Sequence, residues 1–210
     1  LRPGDSLAVM CIESGPEAGS PGVFPNTVYN AAAGQVAQLL GARGPTSTLT
    51  TNHAAGATAL CVAGDLLVSG QADAVVCVAA ETISPVAERI YHSLALFGGP
   101  AGHRYVLTEA GLAFVLERRS HAQGRGARIL GTFAGYGMAS DALGVGRWDP
   151  HGRGMERAMR SAVEQAGGHV PSTVWLNAAG LRAADRPELE AVSRLTPPLG
   201  REPELRSPKT

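Results

Sequence analysis

The side chains with the most chemistry to offer sit at the mouth of a long apolar run. Asn52 and His53 (TNHAAG, residues 51–56) open it, and an imidazole in that position can serve as a general base or accept an acyl group. The same ring can instead fill the space, contributing packing and a hydrogen bond without reacting. Cys11, Cys61 and Cys77 all lie inside apolar runs, where a small buried thiol is expected and a disulfide framework is not. Cys61 falls about two helical turns beyond His53, and Cys77 falls in a strand-like run, so both read as inert core thiols. His92, His103, His121, His151 and His169 lack the close, regular spacing of metal ligands and read as surface histidines. No metal or other cofactor is expected. Gly135-Tyr136-Gly137 lacks the full spaced glycine set of a phosphate-binding turn and opens no helix, so it does not read as a nucleotide site.

The elements that must position these residues alternate between strand and helix. Residues 7–12 (LAVMCI) form a short apolar run ended by the turn-rich ESGPEAGSPG, the pattern of a buried strand entering a loop. Helical spacing predicts a helix over residues 27–40 with Gly41 as its C-cap. Residues 47–51 (STLTT) are rich in β-branched side chains and predict a strand after Gly44-Pro45. Residues 54–69 (AAGATALCVAGDLLVS) are apolar on nearly all faces, which predicts a helix buried within the domain. The continuous run 74–80 (AVVCVAA) then predicts a strand in a sheet covered on both faces. Strands are also expected at 111–117, 127–136 and 173–177. An amphipathic helix is expected at 154–166, with Met155, Met159, Val163 and Ala166 on one side. The pattern is that of an α/β fold with a sheet between helix layers. After Leu195 the proline-rich, polar TPPLGREPELRSPKT predicts an extended or loop segment.

Composition narrows the function classes. The chain has 210 residues, 44% of them hydrophobic and 17% charged, enough for a sizeable core and a poor match to disorder. Eighteen basic and eighteen acidic residues cancel, so the electrostatic footprint of a nucleic-acid or acidic-membrane binder is missing. Apart from Lys209 every basic residue is Arg, a bias that by itself carries no functional weight. No apolar stretch reaches the roughly 18 residues that span a bilayer, and Leu1 to Asp5 lack the opening of a signal peptide. The expected location is the cytoplasm, whose reducing conditions suit the buried thiols.

Six blocks in order resemble the β-ketoacyl synthase family of thiolase-fold enzymes. They are residues 24–34 (FPNTVYNAAAG), 44–48 (GPTST) running into 51–56 (TNHAAG), 107–111 (LTEAG) with 114–117 (FVLE), 135–141 (GYGMASD), 176–180 (LNAAG) and 207–210 (SPKT). The resemblance implies a layered α-β-α-β-α architecture, incomplete at both ends. Residues 1–195 would form the ketosynthase-like domain and 196–210 an extended segment leading to the remainder. In such a ketosynthase a cysteine begins a buried helix, whose dipole and free amides favour thiolate and can hold an oxyanion. Two histidines assist decarboxylation of the extender unit.

His53 occupies the position of that cysteine and Ala179 the position of the first histidine; the second would lie beyond Thr210. Lys209 matches the family's active-site lysine, and Glu109 and Asn177 match residues that brace the active-site loops. The family also pairs the strand before the nucleophile across a two-fold-like interface, which puts Ser47, Thr48, Leu49, Thr50, Thr51 and Asn52 at a partner contact. The implied role is a non-condensing subunit similar to the chain-length factors of type II polyketide systems. Its expected partners are an active ketosynthase, in a heterodimer, and an acyl carrier protein. Two other readings stay open. One is decarboxylase, acyltransferase or hydrolase activity on carrier-protein thioesters through His53; decarboxylation without condensation is what family members with glutamine at the cysteine position carry out. The other is a homodimeric scaffold without substrate.

Overall fold

The computed structural model describes residues 7–12, 30–93, 108–144, 147–195 and 202–207. They fall into two compact units, one within Leu1–Glu88 and Leu107–Thr132, the other within Arg89–Val106 and Phe133–Thr210.

The first unit is built on a four-stranded sheet. Strand β1 (Leu7–Ile12) lies between β2 (Thr46–Thr48) and β3 (Ala74–Glu81) and runs parallel to both. Strand β4 (Ala110–Glu117) closes the other edge, antiparallel to β3. Alternation along β3 divides its side chains between two helices, as the period-2 geometry of a strand requires. Val75 and Cys77 join Ala59, Ala63 and Leu67 of α2 (Ala55–Val68) in one core cluster. Ala74, Val76 and Val78 face the opposite way, where Val78 meets Ala33, Val36 and Ala37 of α1 (Ala31–Leu40). The expected sheet with helices on both faces is therefore present here. Its core is made of small side chains, Val75 being the largest that is fully buried, which lets α2 lie close on the strands.

Several boundaries differ from the sequence expectation. Helix α1 starts at Ala31; residues 27–29 lie outside the described residues. It ends as expected, with Gly41 left-handed at φ 62° and the Gly41 and Ala42 amides donating to the Gln38 and Ala37 carbonyls. The strand expected over residues 47–51 is Thr46–Thr48, where its pairing with β1 ends. Helix α2 buries Ala55, Ala59, Ala63 and Leu67 along one i, i+4 stripe, with Cys61 beside it, while Val68 is 89% exposed. It is buried on one face, although its sequence is apolar almost all round.

Residues 127–136 form no strand: rich as they are in strand-favouring side chains, they pair with no neighbour among the described residues. Two short helices that the sequence reading omitted, α3 (Pro85–Ser93) and α4 (Arg119–Gly124), flank β4 in the chain. An Arg118–Asp73 ion pair of 2.9 Å ties the end of β4 to the start of β3.

The second unit pairs α5 (Arg153–Gln165) with α6 (Arg182–Leu195) and holds a two-stranded parallel sheet of β5 (Thr173–Trp175) and β6 (Glu204–Arg206). Met155, Met159, Val163 and Ala166 are all half-buried, as the amphipathic pattern requires. Strand β5 is two residues shorter than expected, and β6 shows that the segment after Leu195 includes a paired, exposed strand. Helix α6 was not anticipated from the sequence. Glu156 of α5 accepts from Arg160 at 2.8 Å and from Arg194 of α6 at 2.6 Å, and this joins the two helices. Gly152, at φ 60°, sits where a side chain would strike the Pro187 carbonyl of α6.

Candidate active site

Asn52, His53 and Ala54 form a 3-10 turn that feeds directly into α2. The turn is fixed locally. The Ala54 amide donates to the Thr51 carbonyl at 3.2 Å, Thr58 Oγ1 donates to the Ala54 carbonyl at 2.9 Å, and Thr51 Oγ1 lies 3.2 Å from Thr58 Oγ1. Thr58 thus straps the turn to the first coil of the helix. Among the described residues no side chain caps α2, whose N-cap position is Ala54, so the amides of its first turn have no side-chain acceptor there. The positive end of a 14-residue helix therefore lies beside an exposed imidazole. This arrangement can present a base or an acyl acceptor to a polarised carbonyl.

The thiols are elsewhere. Cys61 and Cys77 are 6% and 3% exposed, and Cys77 Sγ lies 3.7 Å from the Ala59 carbonyl in the α2–β3 core. Burial pushes the Cys77 thiol up to about 11 and raises Cys61 as well, with Asp65 adding to the effect there. Burial and the upward shifts both disfavour the nucleophilic thiolate at these two positions.

The turn after β5 belongs to the second unit. Glu188 of α6 grips it: its carboxylate accepts the Asn177 amide at 2.7 Å and the Ala178 amide at 3.1 Å. This clamp holds Ala178 at φ 40° and Gly180 at φ 76°, a left-handed stretch that Ala178 adopts at a cost of about 1 kcal/mol. Ala179 sits within that turn, and its methyl group can neither donate nor accept a proton. Asn177 joins the brace through its main chain, and Glu188, which supplies the carboxylate, was missed in the sequence because α6 itself was missed. Glu109 acts in the same way in the first unit, accepting the Ile83 amide at 2.9 Å just beyond β3.

Of the residues proposed for the partner contact, Ser47, Thr50 and Thr51 are exposed. Leu49 is half-buried and packs against the α2–β3 core. Strand β2 pairs only with β1 among the described residues, so its outer edge is open. Lys209 lies outside the described residues, as does His103. His151 and His169 are exposed. His121 is not a surface histidine: its side chain is 16% exposed and its Nδ1 lies 2.6 Å from Glu117 Oε2.

Gly135 and Gly137 also receive a structural explanation. A methyl at Gly137 would overlap the main chain of Ala158, and one at Gly135 would come within 2.7 Å of the Ala162 carbonyl. They let this segment lie against the backbone of α5. Farther along it, Asp141 accepts the Asp149 amide at 3.0 Å. Asp149 in turn accepts Arg153 Nε at 2.7 Å and the His151 and Arg153 amides, which holds its carboxyl well below the usual carboxylate range. Among the described residues no group of three or more His, Cys, Asp or Glu side chains is placed to hold a metal ion. No helix there is long and apolar enough to cross a membrane.

The profile of the β-ketoacyl synthase N-terminal domain matches residues 6–122, and that of the C-terminal domain matches residues 130–210. The chain belongs to the β-ketoacyl synthase family. It is 35% identical to 3-oxoacyl-[acyl-carrier-protein] synthase 2 of Rhizobium meliloti (strain 1021), over 87% of this chain and 47% of that protein. It is also 35% identical to Nodulation protein E of Rhizobium sp. (strain N33), over 81% of this chain and 44% of that one. The chain thus spans about half the length of the curated relatives it matches.

Solved structures agree on the fold. A type II polyketide synthase acyl-carrier protein in complex with its ketosynthase bound to the hexaketide matches at a TM-score of 0.86 and 21% identity. That alignment covers 100% of this chain and 62% of the other. The ishigamide ketosynthase/chain length factor matches at 0.81 and 23% identity, over 98% and 57%. The fold is the thiolase-like α/β fold of the ketosynthases.

Proposed function

We propose that this chain is a non-condensing ketosynthase-like subunit of a polyketide or fatty-acid synthase, which pairs with an active ketosynthase and shapes its acyl tunnel. One observation carries the reading: the mouth of α2 presents His53, while Cys61 and Cys77 are sealed in the core with raised pKa values. Ala179 supports it, because the position matching the first catalytic histidine has no group to move a proton. The outer edge of β2, which has no partner strand among the described residues, with Ser47, Thr50 and Thr51 exposed on and beside it, would offer backbone groups to a partner strand. The partner would be an active ketosynthase or a second copy, and the acyl chain would arrive on a carrier protein. The solved relatives named for a ketosynthase with its carrier protein and for a ketosynthase/chain length factor give the analogy.

Co-expression with any ketosynthase encoded beside it tests the proposal. The expected result is co-elution and a change in product length, both weakened by Ser47→Glu at the exposed edge. Elution of the chain by itself with unaltered products overturns it, and sedimentation then distinguishes a homodimer from a monomer.

A second reading rests on the exposure of His53. It is thioester decarboxylation, acyl transfer or hydrolysis by the imidazole at the α2 N-terminus. Incubation with malonyl and acyl carrier proteins, followed by mass spectrometry, decides it. Carbon dioxide release, thioester loss or an acyl adduct that disappears in His53→Ala supports this reading; none of these in the native chain ends it.

A further inference from the structure

In the second unit the segment before α5 and the N-terminal half of α6 line an open cleft of about 510 Å³. Its charge is unbalanced. Arg147, Arg182 and Arg186 line it, with Glu190 as the carboxylate among the lining residues. Glu190 is already engaged, lying 2.9 Å from Arg186 and 3.9 Å from Arg194. Arg147 and Arg182 make no ion pair among the described residues, and both are exposed. Trp148, 38% exposed, also lines the cleft, as does Pro187 of α6. The cleft thus combines two uncommitted guanidinium groups with an aromatic face, in a volume within the roughly 300–1,000 Å³ of small-molecule sites.

We propose that this cleft binds a phosphorylated organic anion carrying a planar ring, the chemistry of a nucleoside diphosphate. Guanidinium groups are the matched donors for phosphate oxygens because their planar fork can give two parallel hydrogen bonds. Arg147 and Arg182 hold the phosphates, each contributing from a different segment, and Arg186 adds charge while its pair with Glu190 fixes its position. The indole of Trp148 takes the ring by stacking. A neutral acyl chain would leave both guanidinium groups without a partner. This site lies in a different unit from His53, and the inference does not rest on the pairing proposal above.

Calorimetric titration of the purified chain with ADP, pyrophosphate and adenosine tests it. ADP is expected to bind saturably, pyrophosphate more weakly, and adenosine not measurably. Arg147→Gln and Arg182→Gln should each weaken ADP roughly tenfold, the worth of one charge-assisted contact. Trp148→Ala should weaken ADP and leave pyrophosphate unchanged, and Arg43→Gln, on the other unit, should change neither. Absence of saturable ADP binding by the native chain up to about 1 mM overturns the proposal. So does ADP binding with native affinity in folded Arg147→Gln and Arg182→Gln, or an equal loss in Arg43→Gln. Because the native titration is decisive, the proposal stays testable even if a variant fails to fold.

Discussion

Replacing His53 by cysteine places a thiol at the mouth of α2, and the structure fixes how that thiol should compare with the buried ones. Cys77 is buried, with its pKa pushed up to about 11. At pH 8 it is ionised in about one molecule per thousand, whereas an ordinary thiol near 8.5 is ionised in about a quarter. Ionisation therefore separates the two by roughly 200-fold before access is counted. Access acts in the same direction, since Cys77 is 3% exposed and position 53 is open. The uncapped helix start beside position 53 also favours thiolate there. In the His53→Cys variant, iodoacetamide should alkylate the introduced thiol more than 100 times faster than Cys77, read peptide by peptide by mass spectrometry. Unfolding in denaturant should make the two rates equal. If Cys77 in the folded variant reacts within tenfold of the new thiol, the view of a sealed α2–β3 core beside an open helix start is wrong. The variant should still not condense, because Ala179 is unchanged.

Gly137→Ala would drive a methyl into the main chain of Ala158, which cannot turn aside. It should cost about 3 kcal/mol and lower the melting temperature by about 6–12 °C. Gly34→Ala in α1, where the added methyl meets nothing within 4 Å, should raise it by about 2–4 °C instead; equal behaviour of the two in thermal melts refutes the packing argument. Glu117 titrates below the usual carboxylate range, chiefly through Arg125 at 2.5 Å, with burial opposing and His121 assisting. A depressed carboxylate adds stability above its unfolded pKa, about 4.5, and that stability is lost as pH falls through the lower folded value. Glu117→Gln should therefore be less stable than the native chain at pH 7, with the gap closing on acidification. Urea midpoints from about pH 7 to pH 3 measure this, and a pH-independent gap counts against it.

What the sequence disclosed followed from local physics. β1, β3 and the end of α1 were legible because a continuous apolar run and a left-handed glycine leave few alternatives. The 127–136 segment misled because β propensity describes how side chains suit a pleated surface and does not supply the neighbouring strand. Helix α6 was hidden by its charge and by Pro187, although Ala184, Pro187, Ala191 and Leu195 mark its buried side. The antiparallel direction of β4 has no signature in composition. The motifs around His53 and Ala179 drew attention to the start of α2 and to the turn after β5, but Glu188, which holds that turn, depended on an unseen helix. His121 was misread because its partner, Glu117, lies on another element. The cleft arginines at 147, 182 and 186 form no motif at all, and only folding gathers them.

The place of β1 in its sheet has a consequence for biosynthesis. Leu7 pairs with Ala74 and Ile12 with Ala79, so the central strand is made long before the strand that completes its ladder. At roughly 5–20 residues per second, the apolar hexapeptide LAVMCI waits on the order of 3–13 s for β3 to be translated. During that interval only the short β2 can pair with it, and its other edge stays that of an uncharged β-former, the kind of segment that captures other nascent chains. Chaperone occupancy and solubility during synthesis should therefore respond to the number of residues between β1 and β3 more than to the equilibrium stability of the finished sheet.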